Sequence, residues 1–172
     1  VYDKGLNHFV LYGKGRVKFK DLTVESSRLE YNKEKDIFKS NSGVSFSSKR
    51  LSGSAREMIY SVPQEKVELE GKIIVELTPN LETSLPLVIQ GKKFTYVREK
   101  RVGIVEGEVI LFHGISHSNA DYLEFELFND EENIKSVFLR GNVYAQLIKG
   151  EGKKGERVIS AERIKIIAIH NQ

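Results

Sequence analysis

The chain has no cysteine, no tryptophan, one methionine and three prolines in 172 residues. Without cysteine there is no disulfide, no thiolate nucleophile and no cysteine-based zinc site, and the absence suits an exported protein as well as a cytosolic one. Long apolar runs are missing too, since no stretch approaches the roughly 20 residues that a membrane helix needs. Charge of one sign is also scarce. The 27 Lys and Arg stand against 24 Asp and Glu, a net charge of +3, which is too balanced to demand a polyanionic partner. Hydrophobic residues at 40% and charged ones at 30% are those of a folded chain with a core rather than a disordered one. The opening VYDKGLNHFV has no signal-peptide architecture. Because Val1 is not an initiator methionine and the pattern below starts partway through a unit, a processed or trimmed product is expected.

What is present is strand periodicity. In VELEGKIIVEL, residues 67–77, Val67, Leu69, Ile73, Val75 and Leu77 alternate with Glu68, Glu70, Lys72, Ile74 and Glu76, the period-two pattern of a strand with one buried face. Gly71 falls on the apolar face, where it marks a bend, a bulge or the close approach of another backbone.

That stretch recurs. Phe9, Leu11, Gly15, Val17 and Phe19 repeat it, as do Phe38, Ser42, Val44 and Phe46, then Val105, Gly107, Val109 and Leu111, then Val137, Leu139, Gly141, Val143, Ala145 and Leu147. Steps of 27, 29, 36 and 34 residues separate Gly15, Ser42, Gly71, Gly107 and Gly141. Tyr2, Tyr31, Tyr60 and Tyr96 precede four of these positions by 13, 11, 11 and 11 residues. Between aromatic and glycine lie short charged or proline-containing connections, NKEKD, SVPQEK and VREKR, with NDEEN after Phe128; all are of hairpin length. Leading strands recur as LTVESSRLEY, LSGSAREMIY, SNADYLEFEL and ISAERIKI, each with a phrase of small residues and a charge. The unit is a strand ending in an aromatic, a polar turn, and a longer strand through the glycine. Residues 78–93, TPNLETSLPLVIQGKK, interrupt the series and read as an irregular loop inside a single domain spanning 1–172.

Residues that carry chemistry are few. His113, His117 and Asp121 have the composition of a metal site, but HGISHSNAD reads as a loop rather than a helix that would bring i and i+4 together, so no metal is expected. Glu68, Glu70, Glu76, Glu106 and Glu108 alternate outward and present no acid–base pair. KGEGKKGER, residues 149–157, lacks the Gly-Lys-Ser/Thr ending and the following helix of a phosphate loop. Lys14, Arg16, Lys18 and Lys20 line one face of the first long strand, but Phe19 has the opposite parity. A nucleic-acid surface would interleave exposed aromatics with such cations, so edge protection is the reading, with lipid phosphates as the other anion they could meet. No catalytic residue, metal or cofactor is assigned, and no enzyme activity is expected.

Repeated strands with one apolar face must hide it in a sandwich, barrel or rolled sheet. Partial units at both ends favour an all-β, repetitive antiparallel roll, jelly-roll-like and partly open, over a closed barrel. Its interior is a groove lined by Phe9, Phe19, Phe38, Phe46, Met58, Leu69, Ile73, Val75, Val105, Val109, Leu111, Leu139 and Val143, and its first and last strands keep backbone groups for another strand to join. The same aliphatic residues would equally fill an ordinary β core.

The series "small-Ala-charged, apolar, aromatic, charged turn, apolar-x-Gly-x-Val" resembles the OstA-like repeats of the lipopolysaccharide-transport family, the group of LptA, LptC and the N-terminal domain of LptD. SSRLEYNKEKDIFKSNSGVSF and SAREMIYSVPQEKVELEGKIIVEL carry it best, and VFLRGNVYAQL repeats the Gly-Asn-Val form. The resemblance covers nearly the whole chain. It implies a taco-like β-jelly roll in the periplasm, either soluble or tethered to the inner membrane through a segment upstream of this chain. Its interior would receive the acyl chains of lipopolysaccharide, and its edge strands would join other jelly-roll proteins of the export bridge or further copies of itself, without chemistry of its own. The alternative is a structural or adhesive β-repeat scaffold with a closed core and no lipid ligand. Upstream sequence would separate a cleaved signal from a retained membrane helix.

Overall fold

The computed structural model describes residues 7–19, 22–49, 51–78, 86–128, 134–148 and 156–167. Every regular element among them is a strand: β1 (His8–Phe19), β2 (Leu22–Asn32), β3 (Ile37–Ser40), β4 (Val44–Ser47), β5 (Leu51–Ala55), β6 (Glu57–Ser61), β7 (Lys66–Leu77), β8 (Leu87–Val97), β9 (Val102–His113), β10 (Ser116–Leu127), β11 (Ile134–Ile148) and β12 (Glu156–Ile167). The fold is all-β and jelly-roll-like, a single antiparallel sheet of 12 strands. No helix among the described residues is long and apolar enough to cross a membrane.

The chain runs as a meander of long rungs, each folded across its middle. β3 with β4 and β5 with β6 are rungs that lose their ladder at the fold, since β2 pairs β4 through Ser26–Val44 and β3 through Glu30–Lys39. The remaining long strands stay continuous and take a register shift there instead: Tyr12 to Gly15 in β1, Glu70 to Ile73 in β7, Gln90 to Lys93 in β8 and Arg140 to Val143 in β11. These shifts stack into one crease that divides the sheet into two walls. Bulges bend a strand and sharpen its twist, so a stack of them folds the sheet onto itself.

The recurrent motifs are the parts of that crease. The small residue of each leading strand, Ser26, Ala55, Ala120 or Ala161, faces inward there, and the first three are buried. After Ala55 and Ala120 comes a charged residue, Arg56 or Asp121, that packs over the glycine of a following strand. Gly71 has φ +89, and a Cβ added to it would lie 2.6 Å from Arg56 Cβ; Gly141 has φ +77, and the added Cβ would lie 2.5 Å from Asp121 Oδ2. Only glycine satisfies both the left-handed backbone and the missing space. The two signatures are thus one device seen from neighbouring strands.

At the far end of one wall the charged turns form a second ladder. Asp36, Glu65 and Arg101 close their turns at φ 49, 43 and 54, a region that costs a non-glycine residue free energy. Their carbonyls are then presented to the next turn: Val62 N–H donates to Asp36 O at 3.0 Å, Arg98 N–H to Glu65 O at 3.1 Å, and Leu127 N–H to Arg101 O at 2.9 Å. These bonds offset the strain and hold successive rungs in step.

The interrupting segment is shorter than its composition suggests. The irregular loop expected over 78–93 gives way to β8 from Leu87 onward, with residues 79–85 outside the described residues. Gln90-Gly91-Lys92 takes the place of the small-residue phrase in this rung. A Cβ on Gly91 would collide with Val105 Cγ1, so the crease demands its smallest residue here. HGISHSNAD is likewise not a loop: Gly114 and Ile115 form the turn, and His117, Asn119 and Asp121 lie on β10.

Candidate functional site

The inward side chains form rows that cross the sheet from one edge toward the other. One row on the first wall runs Val17, Val24, Phe46, Gly53, Val75, Ile89, Leu111, Ser118, Ala145, Ile159, each opposite the next. On the second wall Met58, Leu69, Phe94, Val105, Leu123, Leu139 and Ile164 make another. Nearest the turns comes an aromatic row: Phe9, Tyr31, Phe38, Tyr60, Val67, Tyr96, Gly103, Phe125. Phe9 and Phe38 flank the Tyr31 ring at 4.9 and 4.3 Å between centroids. The walls face each other, because Leu22, Phe46 and Leu51 of the first and Met58, Val67, Phe94 and Tyr96 of the second line one apolar cavity.

Of the residues expected to line the interior, Phe46, Met58, Leu69, Ile73, Val75, Val105, Val109, Leu111, Leu139 and Val143 all join one buried cluster. Phe9 and Phe38 are half-buried in the aromatic row. The side chain of Phe19 lies outside the described residues. Among the described residues, the cavity bounded by these seven side chains of the two walls amounts to about 20 Å³, room for one water-sized group. Sequence reasoning missed Tyr31, Tyr60 and Tyr96 as lining residues and used them only to mark turns. Their spacing from the crease glycines was the available signal, since it places each on the inward parity of its strand.

Among the described residues, Arg28 Nε is the one buried side-chain nitrogen or oxygen without a hydrogen-bond partner. Ser26, at the crease, has its hydroxyl 2.8 Å from Ser40 Oγ and donates to Gly43 O at 2.7 Å. Tyr31 donates to Asp36 Oδ1 at 2.7 Å, and this bond, with some desolvation, raises its phenol above the ordinary value. On the outer face Tyr122 donates to Glu124 Oε2 at 2.7 Å under the Arg140 guanidinium, 4.6 Å from its ring centroid. Burial first, then Glu124, push the Tyr122 phenol up to about 12.

The outward carboxylates and cations neutralise one another. Lys66 meets Glu68 at 2.7 Å, Lys93 meets Glu70 at 3.9 Å, and Lys92 pairs with Glu108. Arg16 Nε donates to Glu25 at 2.6 Å, so the basic line on β1 is partly spent on an ion pair; Lys20 lies outside the described residues. No cluster of three metal-binding side chains occurs among the described residues. His117 instead lies between aromatic rings, 6.5 Å from Phe112 and 6.2 Å from Tyr144.

The two edges are alike. β1 pairs only with β2 and β12 only with β11 among the described strands. The interior rows reach β12 and finish there in solvent, where Ile159 is 40% and Ile166 48% exposed. On β1 the inward Leu11, opposite buried Leu29, is likewise 40% exposed, so the apolar rows meet solvent at both edges among the described residues. No protein-family model matches the chain, and no curated protein matches it.

Proposed function

We propose that this chain is a lipid-carrying β-roll of the lipopolysaccharide-transport type, working in the periplasm without catalysis. The acyl chains of lipopolysaccharide or a related glycolipid lie between the walls, and the edge strands receive neighbouring rolls. The observation that carries this reading is the continuity of the apolar rows from β1 to an exposed finish on β12, which suits a sliding path passed from one roll to the next. The resemblance of the repeated units to the OstA-like series supports it. An acyl chain has no room in a cavity of about 20 Å³, so loading parts the walls at the seam between Leu51 and Tyr96. Closure at this seam keeps the side chains that line it from water when no lipid is bound.

The same small cavity favours a second reading, a β-repeat scaffold whose interior is core alone. Photocrosslinking separates them. A photoreactive residue is placed singly at Phe46, Val75 and Leu111, with outward Glu76 as the control, and the protein is exposed to purified lipopolysaccharide. Crosslinks at the inward positions and none at Glu76 are expected; none anywhere, in protein whose fold is verified by circular dichroism, leaves the scaffold reading.

A further inference from the structure

We propose that the outer face of the first wall, across β8 to β11, is a binding platform for a neutral saccharide. Phe112, His117 and Tyr144 stack against the sugar rings, and Gln90 and Asn119 bond their hydroxyls. The platform lies on the side of the sheet away from the interior, so the inference holds whether or not the interior carries lipid.

The alternation that turns Ile89, Leu111, Ser118 and Ala145 inward turns their neighbours outward. Two outward rows result. Ile74, Gln90, Ile110, Asn119 and Tyr144 lie opposite one another in turn, and beside them lie Glu76, Val88, Phe112, His117 and Gln146. Glu76, at the margin, is the one carboxylate in these rows, and neither row has a Lys or Arg. On the outer face of the second wall the same strands behave differently. The row Glu70, Lys93, Glu106, Tyr122 and Arg140 has four charged residues, and the next adds Glu68 and Glu124. The scarcity of charge therefore belongs to the first wall rather than to the strands as a whole.

The rings in these rows meet across three strands. His117 lies 6.5 Å from Phe112 and 6.2 Å from Tyr144, between ring centroids. Tyr144 is 36% exposed and Asn119 is exposed, whereas Phe112 and His117 are half-buried. An aromatic strip braced in this way is ordered before a ligand arrives, so stacking on it costs little side-chain entropy.

The chemistry of the strip selects the ligand. A sugar ring has C–H groups on its faces, which pack on aromatic rings. Around its edge are hydroxyls that both donate and accept, as do the amides of Gln90 and Asn119. Neither amide makes a side-chain hydrogen bond among the described residues. A dry protein surface laid here would bury those amides beside Val88, Ile110 and Phe112 without partners, which is costly. A nucleic acid or an anionic lipid surface asks for cations beside the rings, and the rows have no Lys or Arg to offer. A neutral saccharide suits the rings, the amides and the missing charge together.

The test is calorimetric titration of the whole chain with neutral hexasaccharides of glucose, mannose, galactose and N-acetylglucosamine, one at a time, at low and at high salt. Binding of at least one is expected, with an affinity that salt leaves unchanged, since no ion pair contributes. Tyr144→Ala should weaken it roughly tenfold, the loss of one stacked ring, while Tyr144→Phe should keep most of it. Asn119→Ala, at an exposed position, should weaken it several-fold. Lys93→Ala, on the outer face of the second wall, should have no effect. Circular dichroism verifies the fold of each variant. No binding of any of the four, binding that Tyr144→Ala and Asn119→Ala both leave intact, or binding that high salt abolishes would each overturn the proposal. None of these substitutions touches an inward position, so their outcome is separate from that of photocrosslinking at Phe46, Val75 and Leu111.

Discussion

Phe125 lies over Gly103 on the neighbouring strand, with its ring so placed that a Cβ added to the glycine would fall within 3.0 Å of three ring carbons. Phe94 and Tyr96 stack beside the ring, with centroids at 6.4 and 6.5 Å. Gly103 is therefore the place where the aromatic row is made to fit across β9.

Gly103→Ala should destabilise the fold by about 1–3 kcal/mol, the usual cost of overpacking a filled core. Urea unfolding measures it. The midpoint should fall with the slope unchanged, and relief by a second substitution, Phe125→Leu, should distinguish a steric clash from a backbone effect.

Tyr31 is held twice, by its rings and by its hydroxyl. Tyr31→Phe removes only the bond to Asp36 and should cost about 0.5–1.5 kcal/mol. Tyr31→Ala also removes the ring between Phe9 and Phe38 and should cost about 3 kcal/mol, the low end for truncating an aromatic, because the ring is half-buried. Comparing the two by thermal unfolding separates the shares of ring and hydroxyl.

Ser26→Ala should cost about 1–3 kcal/mol, since the carbonyl of Gly43 and the hydroxyl of Ser40 lose a partner at a buried point. Amide hydrogen exchange should show the loss concentrated in β3 and β4, the strands that the serine ties at the crease.

The Tyr122 phenol sits at about 12, above its ordinary value of 10.0. Both folded and unfolded chains keep it neutral below that ordinary value, so its contribution to stability is intact there. Between about 10 and 12 the unfolded chain releases the proton first, and stability falls with rising pH. Tyr122→Phe should abolish that part of the alkaline slope, which ultraviolet titration of the tyrosines alongside unfolding at each pH would measure.

Much of this architecture is local and therefore readable in the chain. Alternation such as Val67-Glu68-Leu69-Glu70 depends only on a residue's neighbours two positions away. The turn tyrosines and crease glycines repeat because every rung meets the same bend. Where a rung replaced the common phrase, as with Gln90-Gly91-Lys92, the local signal vanished and a strand read as a loop; the need for a small residue there came from Val105 on the next strand.

The amino-acid sequence determined by itself that the chain makes strands, that they come in pairs, and which side chains turn inward, because pleat and turn chemistry act over a few residues. The distance between the walls was decided only in the tertiary structure, since it is set by side chains as far apart in sequence as Leu22 and Tyr96 filling the same space. It was also tertiary structure that decided which strands share a row: a strand's inward face is written in its own residues, but its neighbour across the ladder is not.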